Sequence, residues 1–340
     1  MQNMKYFKWS MLFTLLGLIG GFYIDGWRGL GIVGILAVLE TSLSFDNAVV
    51  NAKVLKNMSA FWRKLFLTVG IVIAVFGMRI LFPLLIVATV ADLGMGAVID
   101  LALNDQKEYA RVLTSAHHEI AAFGGAFLMM VFLSFFADQE KDHHWLHWLE
   151  APLSRMGSMK LLSGGLTLVA LMVSGSFFED AAHQTQFVFA GVWGLVAYIL
   201  TVSLGDLLGA DEGESGVAVA KSGFASFMYL EVLDASFSFD GVIGAFALST
   251  NLFIIAIGLG VGALFVRSFT LLLVDKGTLT EYQFLEHGAF WAIGVLAAVM
   301  MIGVHMHIPE AFTGLSGAIL IGLALYSSVR AKNHSPVEAA

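Results

Sequence analysis

Apolar runs separated by short polar segments dominate this chain. Runs of spanning length, some interrupted by acidic residues, fall near residues 10–25, 29–52, 65–91, 118–137, 160–178, 186–208, 222–249, 251–274, 287–305 and 311–329. An α-helix needs about 20 predominantly apolar residues to cross the hydrocarbon core of a bilayer. The pattern therefore predicts an all-α polytopic membrane protein with about ten transmembrane helices. Two longer polar stretches, 92–116 and 138–159, read as a periplasmic and a cytoplasmic insertion. Lys5 and Lys8 before the apolar run Met11–Ile19 imitate a signal peptide. Bulky Phe22, Tyr23 and Trp27 follow where small cleavage-site residues belong, so this segment reads as an uncleaved first helix.

Composition agrees with the pattern. Hydrophobic residues make up 58% of the 340 and charged ones 13%, against about 25% charged in soluble domains. The 36 glycines against 4 prolines fit helices that pack closely through small residues. The absence of cysteine excludes disulfides, thiolate metal ligands and cysteine nucleophiles. With a net charge of −8 and no basic run, nucleic acid is not an expected partner, whereas the lipid bilayer is. With both termini placed in the cytoplasm, thirteen Lys and Arg fall in inside segments, and only Arg28, Lys107 and Arg111 fall outside. That asymmetry is what the positive-inside rule requires. The loop 206–221 is acidic and runs against it.

Landmarks recur in the same order along the two halves. Glu40-Thr41-Ser42-Leu43-Ser44-Phe45-Asp46-Asn47 is echoed by Asp234-Ala235-Ser236-Phe237-Ser238-Phe239-Asp240-Gly241. Gly70 precedes Arg79 as Gly258 precedes Arg267, and His117 precedes Gly124 as His287 precedes Gly294. Leu162-Ser163-Gly164-Gly165 and Leu315-Ser316-Gly317-Ala318 then open the fifth and tenth runs. Five spans per half would place the halves in opposite orientation, the inverted-repeat plan of many secondary transporters. The expected organisation is a first repeat over 1–178, a second over 186–330 and a polar tail over 331–340.

The echoed motifs carry the candidate chemistry. A carboxylate at the bilayer centre costs about 2.5–3.5 kcal/mol even on lenient insertion scales, and intramembrane acids mark functional sites. Glu40, Asp46, Asp234 and Asp240 supply hard oxygen of the kind that binds Mn²⁺, Mg²⁺ or Ca²⁺, and Ser44, Ser238 and Asn47 are further oxygen donors. Glu231, three residues before Asp234, shares its helical face but aligns with Ala37 in the first half, so the site is quasi-symmetric at best. Glu40 and Asp46 would stand about 9 Å apart along an unbroken helix. Convergence therefore calls for a helix break near each Asp; otherwise the serines merely bond their own helix and let neighbours approach. Other readings of the acids are a buried charge network or proton carriage.

Arg79 and Arg267 are embedded cations at matching positions, read as charge-balancing partners of the acids or as snorkelling side chains. His117-His118-Glu119 imitates a zinc-protease motif, but that motif needs a second His four residues after His118, where Ala122 stands. These residues and His287 are candidates for a vestibule lining or for helix caps. His143, His144 and His147 lie in an amphipathic stretch that fits a regulatory metal site or interfacial anchoring, and His305, His307 and Glu310 receive no role.

The motif Glu40 through Asp46-Asn47, with its echo Asp234 through Asp240, resembles the TerC family of integral membrane proteins. TerC-like proteins are linked to tellurium resistance and manganese efflux, with no permanently bound cofactor. The resemblance implies Mn²⁺ export, with Glu40, Asp46, Asn47 and Asp240 as candidate ligands. The ten expected spans and the first-half insertions depart from shorter members. The resulting expectation is a bacterial inner-membrane exporter of a hard divalent cation, not an enzyme. Coupled transport of another small solute and a membrane scaffold in stress response are the alternatives.

Overall fold

A computed structural model describes residues 4–138, 143–156, 161–208, 223–306 and 308–334. For Met156, residues 205–208, Phe239, Asp240, Glu310, Ala311 and His334 it describes the backbone alone. Every regular element among the described residues is a helix. Helix α1 (Met4–Leu43) is followed by α2 (Phe45–Lys56), α3 (Ala60–Leu65), two runs of π-helical turns (Phe66–Gly70 and Ile73–Leu81) and α4 (Phe82–Val90). Then come α5 (Met95–Asn104), α6 (Gln106–Ser115), α7 (His117–Ala137), α8 (His147–Met156), α9 (Leu162–Gly175) and α10 (Ala181–Leu208). The chain closes with α11 (Gly223–Leu248), α12 (Leu252–Lys276), α13 (Thr278–Glu281), α14 (Leu285–Gly303) and α15 (Glu310–His334).

Among the described residues, seven helices are long and apolar enough to cross a membrane: Met4–Leu43, Ala60–Val90, His117–Ala137, Ala181–Leu204, Leu252–Lys276, Leu285–Gly303 and Phe312–Asn333. Ten expected runs become seven because two of them share one helix and two others fall outside the group, each for a physical reason. The first two runs share α1, whose backbone reverses at Asp25 and Gly26 (φ 55°, ψ −142°), dihedrals that glycine alone adopts without strain. Beyond this bend the two arms pack side by side, so closely that a Cβ on Gly29 would collide with the Gly21 carbonyl oxygen. The run at 160–178 yields α9 of 14 residues, about 21 Å long and too short to span alone. The run at 222–249 yields α11, which has the length but carries Glu231, Asp234 and Asp240.

The 92–116 insertion folds as α5 and α6, with Asp105 capping α6 by accepting the Glu108 N–H at 3.2 Å. Ala60–Val90 is one continuous helical run of 31 residues, widened where Gly70, Gly77 and Pro83 loosen the α-helical ladder.

Two helix contacts organise the bundle. Helices α7 and α14 cross antiparallel, because Gly124 meets Met300 at one end while Phe136 meets Trp291 at the other. Helix α12 lies along α1, with Gly258 against Leu36 and Gly262 against Glu40. A Cβ at Gly262 would collide with the Glu40 Cβ. Gly262→Ala is therefore expected to cost about 1–3 kcal/mol by overpacking, seen as a lower melting temperature in detergent. Gly322→Ala, where an added Cβ meets no described atom within 4 Å, should show no loss.

Candidate functional site

The α1 chain departs from helical geometry at Ser44 (φ −103°, ψ 21°), which separates α1 from α2. The departure is local, since Ser44 N–H still reaches the Glu40 carbonyl at 3.0 Å and Ala48 N–H the Ser44 carbonyl at 3.2 Å. The second copy is continuous helix, with α11 running through Ser236 and Ser238 unbroken. The expectation of a break near each Asp thus fails for the second copy and reduces to a bend in the first. The serines divide between the two roles considered for them. Ser42 and Ser236 donate to carbonyls four residues back, whereas Ser44 and Ser238 line a cavity.

That cavity, about 50 Å³, is bounded by Glu40, Ser44, Asn47 and Asn51 from the first motif region, by Asp234 and Ser238 from the second, and by Arg79 and Arg267. The two copies touch directly, for Asn51 Nδ2 donates to Asp234 Oδ1 at 3.1 Å and Asn47 is also within hydrogen-bonding reach of Asp234. Glu40 reaches across to the second copy, its Oε2 lying 3.1 Å from where a Cβ on Gly241 would sit. A side chain at Gly262 would collide with its Cβ and Cγ, and one at Gly241 would press its carboxylate aside.

Charge in the site is partly neutralised. Arg79, 3% exposed, pairs through Nη2 with Glu40 Oε1 at 2.5 Å and donates from Nη1 to the Ala74 carbonyl. Arg267 lines the same cavity, its Nε without a partner among the described residues. Buried acceptors are left over as well: among the described residues Asn47 Oδ1, Asn51 Oδ1, Ser238 Oγ and Glu231 Oε1 have no hydrogen-bond partner. Unsatisfied buried oxygen is costly, and several such atoms around one small polar cavity mark a place where a ligand or water is accommodated. Glu231 stands slightly apart, its Oε1 against Gly70 of the π-helical segment.

Asp46, 5% exposed, faces a second small cavity shared with Glu40, Ser44 and Gly241, and its Oδ1 accepts the Asn47 N–H at 2.9 Å. The Asp240 side chain lies outside the described residues, as do His307 and the side chain of Glu310. Among the described residues no group of three or more His, Asp or Glu side chains stands close enough to hold a metal ion. The reason is local: Glu40 is engaged by Arg79 and Asp234 by Asn51, so amides and hydroxyls supply most of the oxygens on the polar side of the cavity, and side chains such as Phe66, Leu67, Met78 and Val266 form the apolar remainder of its wall.

The histidines do not form one vestibule. His117 lines a separate large cavity at one end of α7, and His118 packs 5.0 Å from the His183 ring with Glu119 3.4 Å from its Nε2. His287 lies at the opposite end, because α7 and α14 are antiparallel. It is buried, with Nδ1 2.9 Å from Glu150 Oε2. Trp291 Nε1 donates to the other Glu150 oxygen at 3.0 Å, and His144 stands 3.8 Å away. His143 is exposed and His147 opens α8, its ring edge-on to that of His144.

Sequence reasoning missed Asn51 and Glu150. Asn51 follows Asn47 by four residues, a spacing that puts both amides on one helical face and is the signal that could have found it. Glu150 carries no comparable signal, because the two side chains that bury it, His287 and Trp291, lie more than a hundred positions away. Burial alone would raise the Glu150 carboxyl; the hydrogen bonds from His287 and Trp291 and the His287 charge outweigh it and hold the group down at about 2, below the ordinary 4.5. A depressed carboxyl contributes stability above its unfolded value and loses it as pH falls through the folded one. Glu150→Gln is thus expected to lower the melting temperature above about pH 4.5, the gap from the parent closing toward pH 2. A gap that widens on acidification would refute the pairing.

Neither a curated protein nor a solved structure matches this chain. A family model described as "Protein of unknown function (DUF475)" does, over residues 45–335. The match takes in Asp46, Asn47, Asn51, Arg79, Asp234 and Arg267, but its description names neither TerC nor a substrate. Spanning most of the sequence, it establishes that the chain belongs to the DUF475 family.

Proposed function

We propose that this protein is a membrane transporter for a hard cation, with Mn²⁺ the first candidate, and that Glu40, Asn47, Asn51, Asp234, Ser44 and Ser238 form its binding site. The observation that carries the reading is the small cavity whose polar side is built from both motif copies inside an apolar helical bundle, with oxygen atoms left unpartnered beside it among the described residues. Asp46, Asp240 and Glu231 belong to the same site as additional carboxylates. All these donors are oxygen, as Mn²⁺, Mg²⁺ and Ca²⁺ prefer, and no thiolate exists to favour a softer ion.

Arg79 acts as the substitute cation. It neutralises Glu40 when the site is empty, and an arriving ion displaces it, so the loaded and unloaded proteins carry similar charge through the membrane. Arg79 also acts on Asp234, while Arg267 lines the same cavity with no ion pair among the described residues and is the second cation held ready there. Export to the outside, with protons returning on the same acids, completes the cycle of an inner-membrane protein whose termini are cytoplasmic.

Ten spans in two inverted halves fit the packing. Helix α2 lies against α12 and α14, and α11 against the π-helical segment and α7, which are the reciprocal contacts a pseudo-two-fold axis requires. The antiparallel crossing of α7 and α14, one from each half, supports the same axis. In this count the two arms of α1, the acid-bearing α11 and the short α9 are spans. The TerC resemblance points the same way, toward manganese and tellurium resistance.

Purified protein in liposomes loaded with a metal-quenched dye should carry Mn²⁺ across the membrane, and liposomes without it should not. Flux of Na⁺ or another solute with no divalent cation movement would replace the metal reading by coupled solute transport. Loss of cellular function on deleting the segment 138–159, with flux intact, would favour the scaffold.

A further inference from the structure

Three cavities adjoin in series. The site cavity shares Glu40 and Ser44 with the second small cavity, of about 40 Å³, which reaches Thr313 and Gly317 on α15. Thr313 is in turn part of the wall of the large cavity, about 740 Å³, which is bordered by Lys107 and Arg111 of α6 and by His117. A water needs only about 10–15 Å³ of such space, so each small cavity has room for an ion with its nearest water. Among the described residues, Thr313 is the one that the small and the large cavity have in common.

The other end of the bundle is packed with aromatic rings. There Phe135 of α7 stacks on Phe290 of α14 with ring centres 3.7 Å apart. Lys53 of α2 covers both rings, 4.2 and 5.0 Å from their centres, and pairs with Glu286 at 2.8 Å. The Glu150 contacts to His287 and Trp291 hold the same end of α14.

We propose that the buried site communicates with the face of the membrane that carries α6, through a constriction at Thr313, and that Lys53, Glu286, Phe135 and Phe290 form the closed gate on the opposite side. This rests on the transporter reading and adds to it the route and the gate. An ion leaving Glu40 and Asp46 passes Thr313, whose hydroxyl is the oxygen ligand at this shared wall, its carbonyl being taken by the Ser316 hydroxyl at 2.7 Å. Opening the other side requires Lys53 to release Glu286 and the two rings to part, which the antiparallel crossing of α7 and α14 permits as a tilt about their contact near Gly124 and Met300.

The chain contains no cysteine, so single cysteines can be read without background. Thr313→Cys and Gly317→Cys, the latter with only Ala292 in ordinary contact at 3.6 Å, are treated with a membrane-impermeant methanethiosulfonate in oriented vesicles. Lys107→Cys, exposed on α6, reports the side. Both test cysteines are expected to label from the side that labels Lys107→Cys, and labelling should stop Mn²⁺ flux. A Lys53→Cys/Glu286→Cys pair, bridged by a bifunctional thiosulfonate that spans the former side chains, is expected to abolish flux while leaving Thr313→Cys reactive. Labelling from the opposite side only, or no labelling of either position in monodisperse protein, overturns the route. Flux that survives full labelling of Thr313→Cys overturns it too. Labelling as expected with no flux in the parent chain leaves the route standing and removes the transporter reading, so the two fail separately.

Discussion

Asp234→Asn should abolish cation flux in liposomes while the protein still inserts, folds and runs as a single species in detergent. The amide keeps the shape of the side chain and an oxygen that can accept the Asn51 hydrogen bond, now 3.1 Å long, so the α2–α11 contact survives. What it removes is the charge, and affinity for divalent cations depends on the number of charged ligands. Folding is further protected because a neutral amide is cheaper to hold in hydrocarbon than an ion. Asp46→Asn and Asp240→Asn belong to the same series and are expected to behave alike. In cells sensitised to manganese by loss of the native protein, each variant at matched expression should fail to rescue. Full rescue by Asp234→Asn would remove the metal-transport reading and leave the scaffold.

Arg79→Met should cost about 3–5 kcal/mol of stability, the usual penalty for stripping one partner from a buried ion pair. Both members of this pair are nearly inaccessible, with side chains 3% and 6% exposed, so neither water nor salt can replace the missing charge. The companion variant Glu40→Gln/Arg79→Met removes both charges and is expected to recover most of the loss, because no uncompensated ion remains. Denaturant or thermal unfolding in detergent measures both. An Arg79→Met protein as stable as the parent would show that Glu40 is compensated elsewhere. A double variant no better than Arg79→Met would show that the arginine stabilises through packing rather than charge. Mn²⁺ added to Arg79→Met should raise its melting temperature more than that of the parent, since the ion then meets an unopposed carboxylate.

Much of the site is legible in the amino-acid sequence. The acids stand out because hydrocarbon penalises them, and a penalty borne twice in matched sequence contexts marks a shared purpose; the fold brings Glu40, Asn47, Asp234, Ser44 and Ser238 to one cavity. Arg79 is readable for the same reason, as a further embedded charge needing a partner. Asn51 escapes because an amide in an apolar run is penalised less than an ion and so stands out less. His287 does not share an end with His117, because α7 and α14 run antiparallel and matching positions at their starts fall at opposite ends of the bundle.

The amino-acid sequence by itself determined the helical class, the membrane environment, the glycines that allow close approach and the residue types able to meet a hard cation. These follow from local chemistry, since hydropathy, helix length and ligand hardness are properties of short segments. Only the tertiary structure decided that α1 doubles back at Gly26, that Glu40 is held by Arg79 between Gly241 and Gly262, that Glu150 clamps His287, and that Lys53 pairs with Glu286 at one end while Thr313 borders the large cavity at the other. Those facts depend on pairs of residues tens to hundreds of positions apart, and chain closure and packing, not local preference, select which of the many possible pairs form.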